Sequence, residues 1–389
     1  MQTFALLLDS WRLLLSRRLF WLTLALNVIV VLLYGSIAIT DSGFSLFYGL
    51  WEIENEQYRA STGLARTVLL PIVSYWMISY WLAWFATGLG LISTASIIPD
   101  FLAEGAIDMV LAKPISRTKA FFVKYLGGLL FVLLQVTVFC TGSFLVNLIR
   151  LGEWQWMLFA AIPVVTLFFS YMFAVSVFFG VVTRSSIAAI LAAAVFWFVL
   201  FIAQGAESIS HMISAAISIQ TEAVEKRDAA DQEKFAAMKA DGLTSDDNSF
   251  ERLRGEIEAR APQLTDLRRQ RDLAAAWHNG FYIAVTVLPK TKATIALIDR
   301  WFAPPTGGPT SLQELFVANA SRNRPPRPDR PGRAPGGSAG EMEMEPGQVE
   351  ARVLRDESER SLTWVIGTSI AFELVVLGGA LWIFRRRDF

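Results

Sequence analysis

The runs LLPIVSYWMISYWLAWFATGLGLISTASII (69–98) and LGGLLFVLLQVTVFCTGSFLVNLI (126–149) carry no charged residue, and the stretch between them, PDFLAEGAIDMVLAKPISRTKAFFVKY (99–125), is rich in acids and bases. A helix crosses a bilayer with about 20 apolar residues. Each run is long enough, so the polar stretch reads as a loop returning the chain from one membrane helix to the next. The same test, carried outward, finds spans at about 19–39, 70–98, 121–149, 158–182, 187–206 and 363–384. The expected fold is an all-α integral membrane protein with six transmembrane helices. Residues 281–288, FYIAVTVL, are too few to span and read as buried or interfacial.

Composition agrees. Of 389 residues 53% are hydrophobic and 18% charged, with 28 Phe and 13 Trp. Indoles favour the membrane–water interface. Lys plus Arg and Asp plus Glu balance at 35 each, which gives no electrostatic reason to bind nucleic acid. The single cysteine, Cys140, excludes an intrachain disulfide and reads as a small hydrophobe. The N-terminal segment lacks a cleavage site after a short apolar core, so the first run is expected to remain as a helix.

Basic residues fix the orientation. Arg17, Arg18, Lys113, Arg117, Lys119, Lys124, Arg184 and Arg385–Arg387 fall in alternate short loops or ends. The positive-inside rule therefore puts both termini and the 99–124 loop in the cytoplasm. By parity of spans, a large helical insert between spans five and six is extracytoplasmic. Its charged part, 207–276, has apolar residues at helical spacing (Leu253, Ile257, Leu264, Leu267, Ala274), as expected of two long helices. These form either a coiled hairpin or solvated helices. Residues 277–321 read as membrane-proximal. The Pro/Gly-rich region 322–361 reads as a disordered linker, followed by the last span and basic end, 362–389. At the other end, residues 1–18 place Phe4, Leu7, Leu8, Trp11, Leu14 and Leu15 on one face, an interfacial amphipathic helix.

Within 99–124, Ile107, Val110 and Leu111 share one face of a short helix, with Glu104 and Asp108 on another. Pro114 ends it, and Ser116 is placed to cap the next helix. A short helix held between two spans is a mechanical handle; the plainer reading is an ordinary positive-inside loop. Glu373 is an acid in the middle of the last span, a position that usually faces a bundle interior. It is either part of a pathway or interhelical glue, with Asn27 and Gln135 as candidate partners, and Gly378 and Gly379 beside it permit close helix approach. His211 and His278 flank the charged helices, without the surrounding ligands that a metal needs. No catalytic motif and no G-x-x-x-x-G-K-[ST] phosphate loop occurs.

EGAIDMVLAKPISRTKAFFVKYLGG (104–128) resembles the segment after the second span of type-2 ABC transporter permeases, matching at Glu104, Gly105, Leu111, Pro114, Ile115, Ser116, Arg117 and Lys124. The order of spans, the amphipathic start, the basic end and VLPKT (287–291) agree with that family. The charged insert and the Pro-rich tract lie outside the resemblance. It implies that the loop, with Asp108 and Lys113, is a coupling helix gripped by a separate ATPase subunit. It further implies a permease subunit of an ATP-driven exporter in the inner membrane, working beside a second protomer. ATP would then bind the partner, and this chain would hold no cofactor. Two other readings stand beside it: a non-transporting scaffold presenting the coiled insert, and an intramembrane enzyme or proton-coupled carrier centred on Glu373.

Overall fold

The structure, a computed structural model of the chain, describes residues 12, 15–16, 18–40, 43–54, 76–102, 116–151, 154–241, 248–302 and 347–386. Among these, six helical segments are long and apolar enough to cross a membrane: Arg18–Gly35, Tyr80–Phe101, Arg117–Ile149, Trp156–Thr183, Ser186–Ala240 and Leu362–Arg386. Each falls on an expected span.

The first span is α1 (Arg18–Gly35). The second is composite. A π-helical stretch, Trp76–Ala86, passes into α2 (Thr87–Thr94) and then α3 (Ile97–Phe101). At the junction the Thr87 hydroxyl donates to the Leu82 carbonyl five residues back, at 3.0 Å, the reach of a widened turn. The third is α4 (Arg117–Leu151), the fourth is α5 (Ala161–Thr183) with a 3-10 lead-in, and the last is α10 (Leu362–Arg386).

Helix α6 (Ser186–Ala240) is the fifth span and continues without a break into the charged region. It is followed by α7 (Asn248–Thr286), α8 (Thr291–Phe302) and α9 (Gln348–Glu359). The described residues fall into two compact units. One holds the chain up to Phe201, α8, and residues from Ser361; the other holds Ile202–Thr286 and α9.

Helix α5 is the centre of the first unit, packed by α4, α10 and α8, while α1 packs on α4. It buries Phe169, Tyr171, Met172 and Phe173 completely or nearly so. Gly128 on α4 makes this packing possible: a Cβ there would stand 2.4 Å from the Phe173 ring. Tyr125 stacks on Phe173, and Phe173 on Phe169, both at 5.3 Å between ring centroids. Of the glycine pair on α10, Gly379 meets Phe178 closely, whereas nothing lies within 4 Å of a Cβ at Gly378.

Arg184 sits left-handed (φ 54°) and its N–H closes α5 on the Gly180 carbonyl at 3.0 Å. The turn to α6 is tight, and beside it a Cβ at Gly180 of α5 would lie 3.7 Å from Ala189 of α6. The faces of α5 are taken by α4, α8 and α10, and α6 reaches its neighbours through long aromatics, Trp197 to Phe168 and Phe196 to Phe372.

Hydropathy alone does not anticipate the small sheet after α1. Strands β1 (Ala38–Thr40), β2 (Gly43–Leu46) and β3 (Trp51–Glu54) pair antiparallel in chain order, with Phe44 opposite Ile53 and Leu46 opposite Trp51. Strands this short leave almost no alternation to detect. Three successive residues with positive φ, Phe47, Tyr48 and Gly49, make the second turn.

In the second unit the charged region is carried by two long helices, the end of α6 and α7. The apolar face expected on α7 is turned inward at Leu264, and Phe250 stacks on Phe235 at 4.6 Å. The arginine–carboxylate bridges that join the helices are sorted by sign, whereas His211 of α6 meets Asp356 of α9 in the opposite sense. Helix α6 supplies Glu207, Glu222, Glu225, Asp228 and Asp231; α7 supplies Arg260, Arg268 and Arg271, and α9 supplies Arg352 and Arg360. Arg260 is buried, 3.5 Å from Asp228 and 2.9 Å from Asp231.

The expected linker 322–361 needs correction at its end. Residues 322–346 lie outside the described residues, but α9 is an ordered helix. Arg352 grips both oxygens of Glu222 at 2.9 and 3.0 Å, and Arg360 reaches Glu207 at 2.7 Å. Those bonds supply the partner that a polar segment lacks when read alone. The expected amphipathic helix 1–18 lies almost wholly outside the described residues.

Candidate functional site

Among the described residues, polar knots lie inside the membrane bundle, and two of them hold the intramembrane polar residues expected from the sequence. The first surrounds Glu373, two turns before the Gly379 contact. Tyr125 of α4 donates to Oε1 at 2.6 Å, and Ser170 of α5 donates to Oε2 at 2.8 Å. Both carboxyl oxygens are thus satisfied by hydroxyls from two other helices, which is what an acid needs to sit among apolar side chains.

One turn away on α10, Ser369 accepts the backbone N–H of Lys290 at 3.0 Å. The Lys290 ammonium donates to Thr368 at 2.5 Å and stands 4.1 Å from the centre of the Trp364 ring. Lys290 is only 3% exposed. These bonds fasten the start of α8 to α10.

The second knot joins α1, the second span and α4. Trp81 donates to Asn27 at 2.8 Å, Asn27 donates to Gln135 at 2.9 Å, and Gln135 donates to Thr23 at 3.0 Å and to the Phe20 carbonyl at 3.2 Å. Beside it is a small cavity of about 10 Å³, lined in part by Thr23, Asn27, Thr87 and Gln135. That is about the room one water needs.

Asn27 and Gln135 are therefore not the partners of Glu373. Their amides satisfy each other across the α1–α4 contact, while Glu373 faces α4 and α5. Tyr125 and Ser170 were missed because a hydroxyl in an apolar run gives no signal of its own. The one available clue was that a mid-span acid demands donors, and hydroxyl residues are the common ones in such spans.

Of the expected coupling residues, Glu104, Gly105, Asp108, Leu111, Lys113 and Pro114 lie outside the described residues. Ser116 and Arg117 are described. Ser116 Oγ accepts the Lys119 N–H at 3.3 Å, the cap expected at the start of α4. Arg117 reaches the Arg385 carbonyl at the end of α10, at 3.5 Å.

In the second unit the two histidines stack, with ring centroids 4.6 Å apart. His211 Nε2 lies 3.2 Å from Asp356 Oδ2. Among the described residues no three His, Cys, Asp or Glu side chains come together to hold a metal ion.

Among the described residues, the bundle has donors and acceptors that tie its helices together. A family model described as ABC-2 family transporter protein matches residues 7–231. The chain belongs to the ABC-2 transporter family. As an ABC-2 type permease it is a multi-pass membrane protein; members are generally non-enzymatic transmembrane subunits that usually work with a separate ABC ATPase. The match takes in the first five spans, both ends of the 99–124 loop, the Asn27 knot and the Tyr125 and Ser170 partners of Glu373. No curated protein and no solved structure matches the chain.

Proposed function

We propose that this permease is the membrane subunit of an ATP-driven exporter in the inner membrane, with both termini cytoplasmic and the region from 207 to 361 outside. It works beside a second protomer, and ATP is hydrolysed on a separate subunit that grips the 99–124 loop. The family match over 7–231, which includes this loop and the spans that flank it, carries the reading.

The geometry supplies a route for force. Helix α4 begins at Arg117, capped by Ser116, within the second half of the 99–124 loop, and is continuous through Tyr125. Tyr125 holds Glu373 of α10, and Arg117 touches the far end of α10. A push on the loop therefore moves α4 and α10 as a pair. Rigid shifts of packed helices are a common way for such a push to change access to a pathway.

Co-purification tests the coupling. The detergent-solubilised chain brings down an ABC ATPase, and the double variant Glu104→Lys with Pro114→Ala loses it while keeping the wild-type melting curve. An intact chain that brings down no ATPase in either form overturns the reading.

A further inference from the structure

The small sheet after α1 presents an apolar tip. Residues 47–51, FYGLW, carry no charge and are all exposed, Leu50 at 87% and Trp51 at 68%. Glycine or asparagine would make such a turn at low cost. Here Phe47 and Tyr48 themselves hold the left-handed conformation, at φ 51° and 60°, before Gly49 at 96°. Strain of that kind marks a place where the side chain has a task.

The tip is held at the edge of the bilayer rather than out in water. Helix α1 has 18 residues and is about 27 Å long, against a hydrocarbon core about 30 Å thick. The sheet that follows therefore starts at the membrane surface. Tyr48 then turns the tip back. Its N–H donates to the Ser36 carbonyl at 3.2 Å, and its hydroxyl donates to the Leu32 carbonyl at 3.1 Å, inside α1. Gly35 leaves room for that hydroxyl, which lies 3.5 Å from where a Cβ would stand. Beside it α1 exposes Val28, Ile29, Leu32 and Leu33, the apolar flank that a span turns to lipid, and the tip continues that flank.

The same end of the bundle carries more exposed indole. Tyr34 of α1 donates to Asn147 of α4, and Asn147 donates to Gln155 at 2.8 Å. Gln155 lies between Trp154 and Trp156, which stack at 5.5 Å and are both more than half exposed. Indoles gathered at one end of a set of spans mark a membrane–water interface. Charge stays off the tip. Glu52 and Glu54 follow Trp51 in β3, and neighbours along a strand point to opposite faces, so both acids stand on the side away from the Trp51 ring.

We infer that the Phe47–Trp51 tip is a lipid-binding surface, inserted in the interfacial layer of the leaflet opposite the 99–124 loop. Phe47, Leu50 and Trp51 lie among the headgroups and upper acyl chains, and Glu52 and Glu54 stay in water. Lipid is favoured over a protein partner because the tip continues the apolar flank of α1 and shares its end of the bundle with Trp154 and Trp156. The insertion holds the far end of α1, and through Asn147 that of α4, at a fixed depth. It needs neither the ATPase nor a second protomer.

Spin labelling of the full chain in bilayers of phosphatidylethanolamine and phosphatidylglycerol tests it. Single cysteines are placed as Phe47→Cys, Leu50→Cys and Glu52→Cys. Native Cys140 is buried, and wild type treated alike gives the background. Labels at 47 and 50 collide mainly with oxygen, which concentrates in lipid, and the label at 52 collides mainly with a water-soluble nickel chelate. The oxygen-to-nickel collision ratio is therefore several-fold higher at 47 and 50 than at 52. Nickel-dominated collisions at either 47 or 50 overturn the inference. Protection of either label from both reagents also overturns it, since protein then covers the tip. Spin–spin broadening that dilution with unlabelled chain removes identifies that cover as a second copy.

Discussion

The Tyr125 hydroxyl on α4 donates to Oε1 of Glu373 on α10 at 2.6 Å, and Ser170 on α5 holds the other oxygen. One acid thereby ties three spans. Replacing Glu373 with Leu removes the acceptor that two buried hydroxyls share, leaving Ser170 the Leu167 carbonyl at 2.8 Å and Tyr125 only the Ser170 carbonyl at 3.4 Å; the loss falls mainly on Tyr125, at about 1–3 kcal/mol for a group left poorly satisfied. Glu373→Gln keeps one acceptor and one donor at the site. We expect the melting temperature in detergent to fall clearly for Glu373→Leu and much less for Glu373→Gln. Equal melting curves for the two variants would show that the knot does not hold the helices.

Close packing at Gly128 gives a second outcome. A methyl there stands 2.4 Å from the Phe173 ring, and Phe173 is locked between Tyr125 and Phe169. Gly128→Ala should cost about 1–3 kcal/mol through overpacking. Gly378→Ala, with open space around it, should be neutral or stabilising by up to about 1 kcal/mol, because alanine is the better helix former. Thermal unfolding of the two variants side by side checks both signs.

The histidine stack makes the second unit sensitive to acid. Burial is the first cause that holds His278 below the ordinary imidazole value of 6.5. The neighbouring His211 and the Arg360 cation act in the same direction, while Glu207 and Asp356 oppose them; Ser210 and Tyr282 complete its surroundings. The folded unit thus binds this proton more weakly than the unfolded chain. Its contribution to stability is present above about pH 6.5 and is lost as the pH falls through the lowered value. With the intrinsic pH dependence of exchange divided out, the protection of α7 amides should fall between pH 8 and pH 5, and His278→Gln should flatten that dependence. An unchanged pH profile in the variant assigns the effect elsewhere.

Arg260 is the buried bridge of the second unit, with Asp228 and Asp231 only slightly more exposed. Removing one partner of a buried ion pair costs about 3–5 kcal/mol, because the remaining charge is stranded. Arg260→Ala should therefore expose α6 and α7 to limited proteolysis. Arg254→Ala, which breaks a fully exposed pair with Glu258 on the same helix, should leave the cleavage pattern unchanged.

The spans were legible because twenty apolar residues have few other uses, and the Ser116 cap because a serine after proline and before a helix offers one evident partner. The two long helices of the insert followed from the spacing that includes Leu264. The knots were not legible in the same way. Glu373 announced a need for partners, but its hydroxyl donors lie 248 and 203 residues away in sequence. Helix α9 was hidden for a related reason: alone it is too polar to fold, and its order comes from Glu207 and Glu222 on a distant helix. The strands β1–β3 were simply too short to show a period.

The sorting of charge in the second unit has a consequence for descent as well as for folding. Acids stand on α6 and arginines on α7 and α9, so reversing a single sign brings like charges together, and only a second reversal on the facing helix restores the bond. Glu207 with Arg360, Glu222 with Arg352 and Glu225 with Arg268 are thus expected to be inherited as couples. Across diverging relatives, each couple should exchange signs together or lose both charges together.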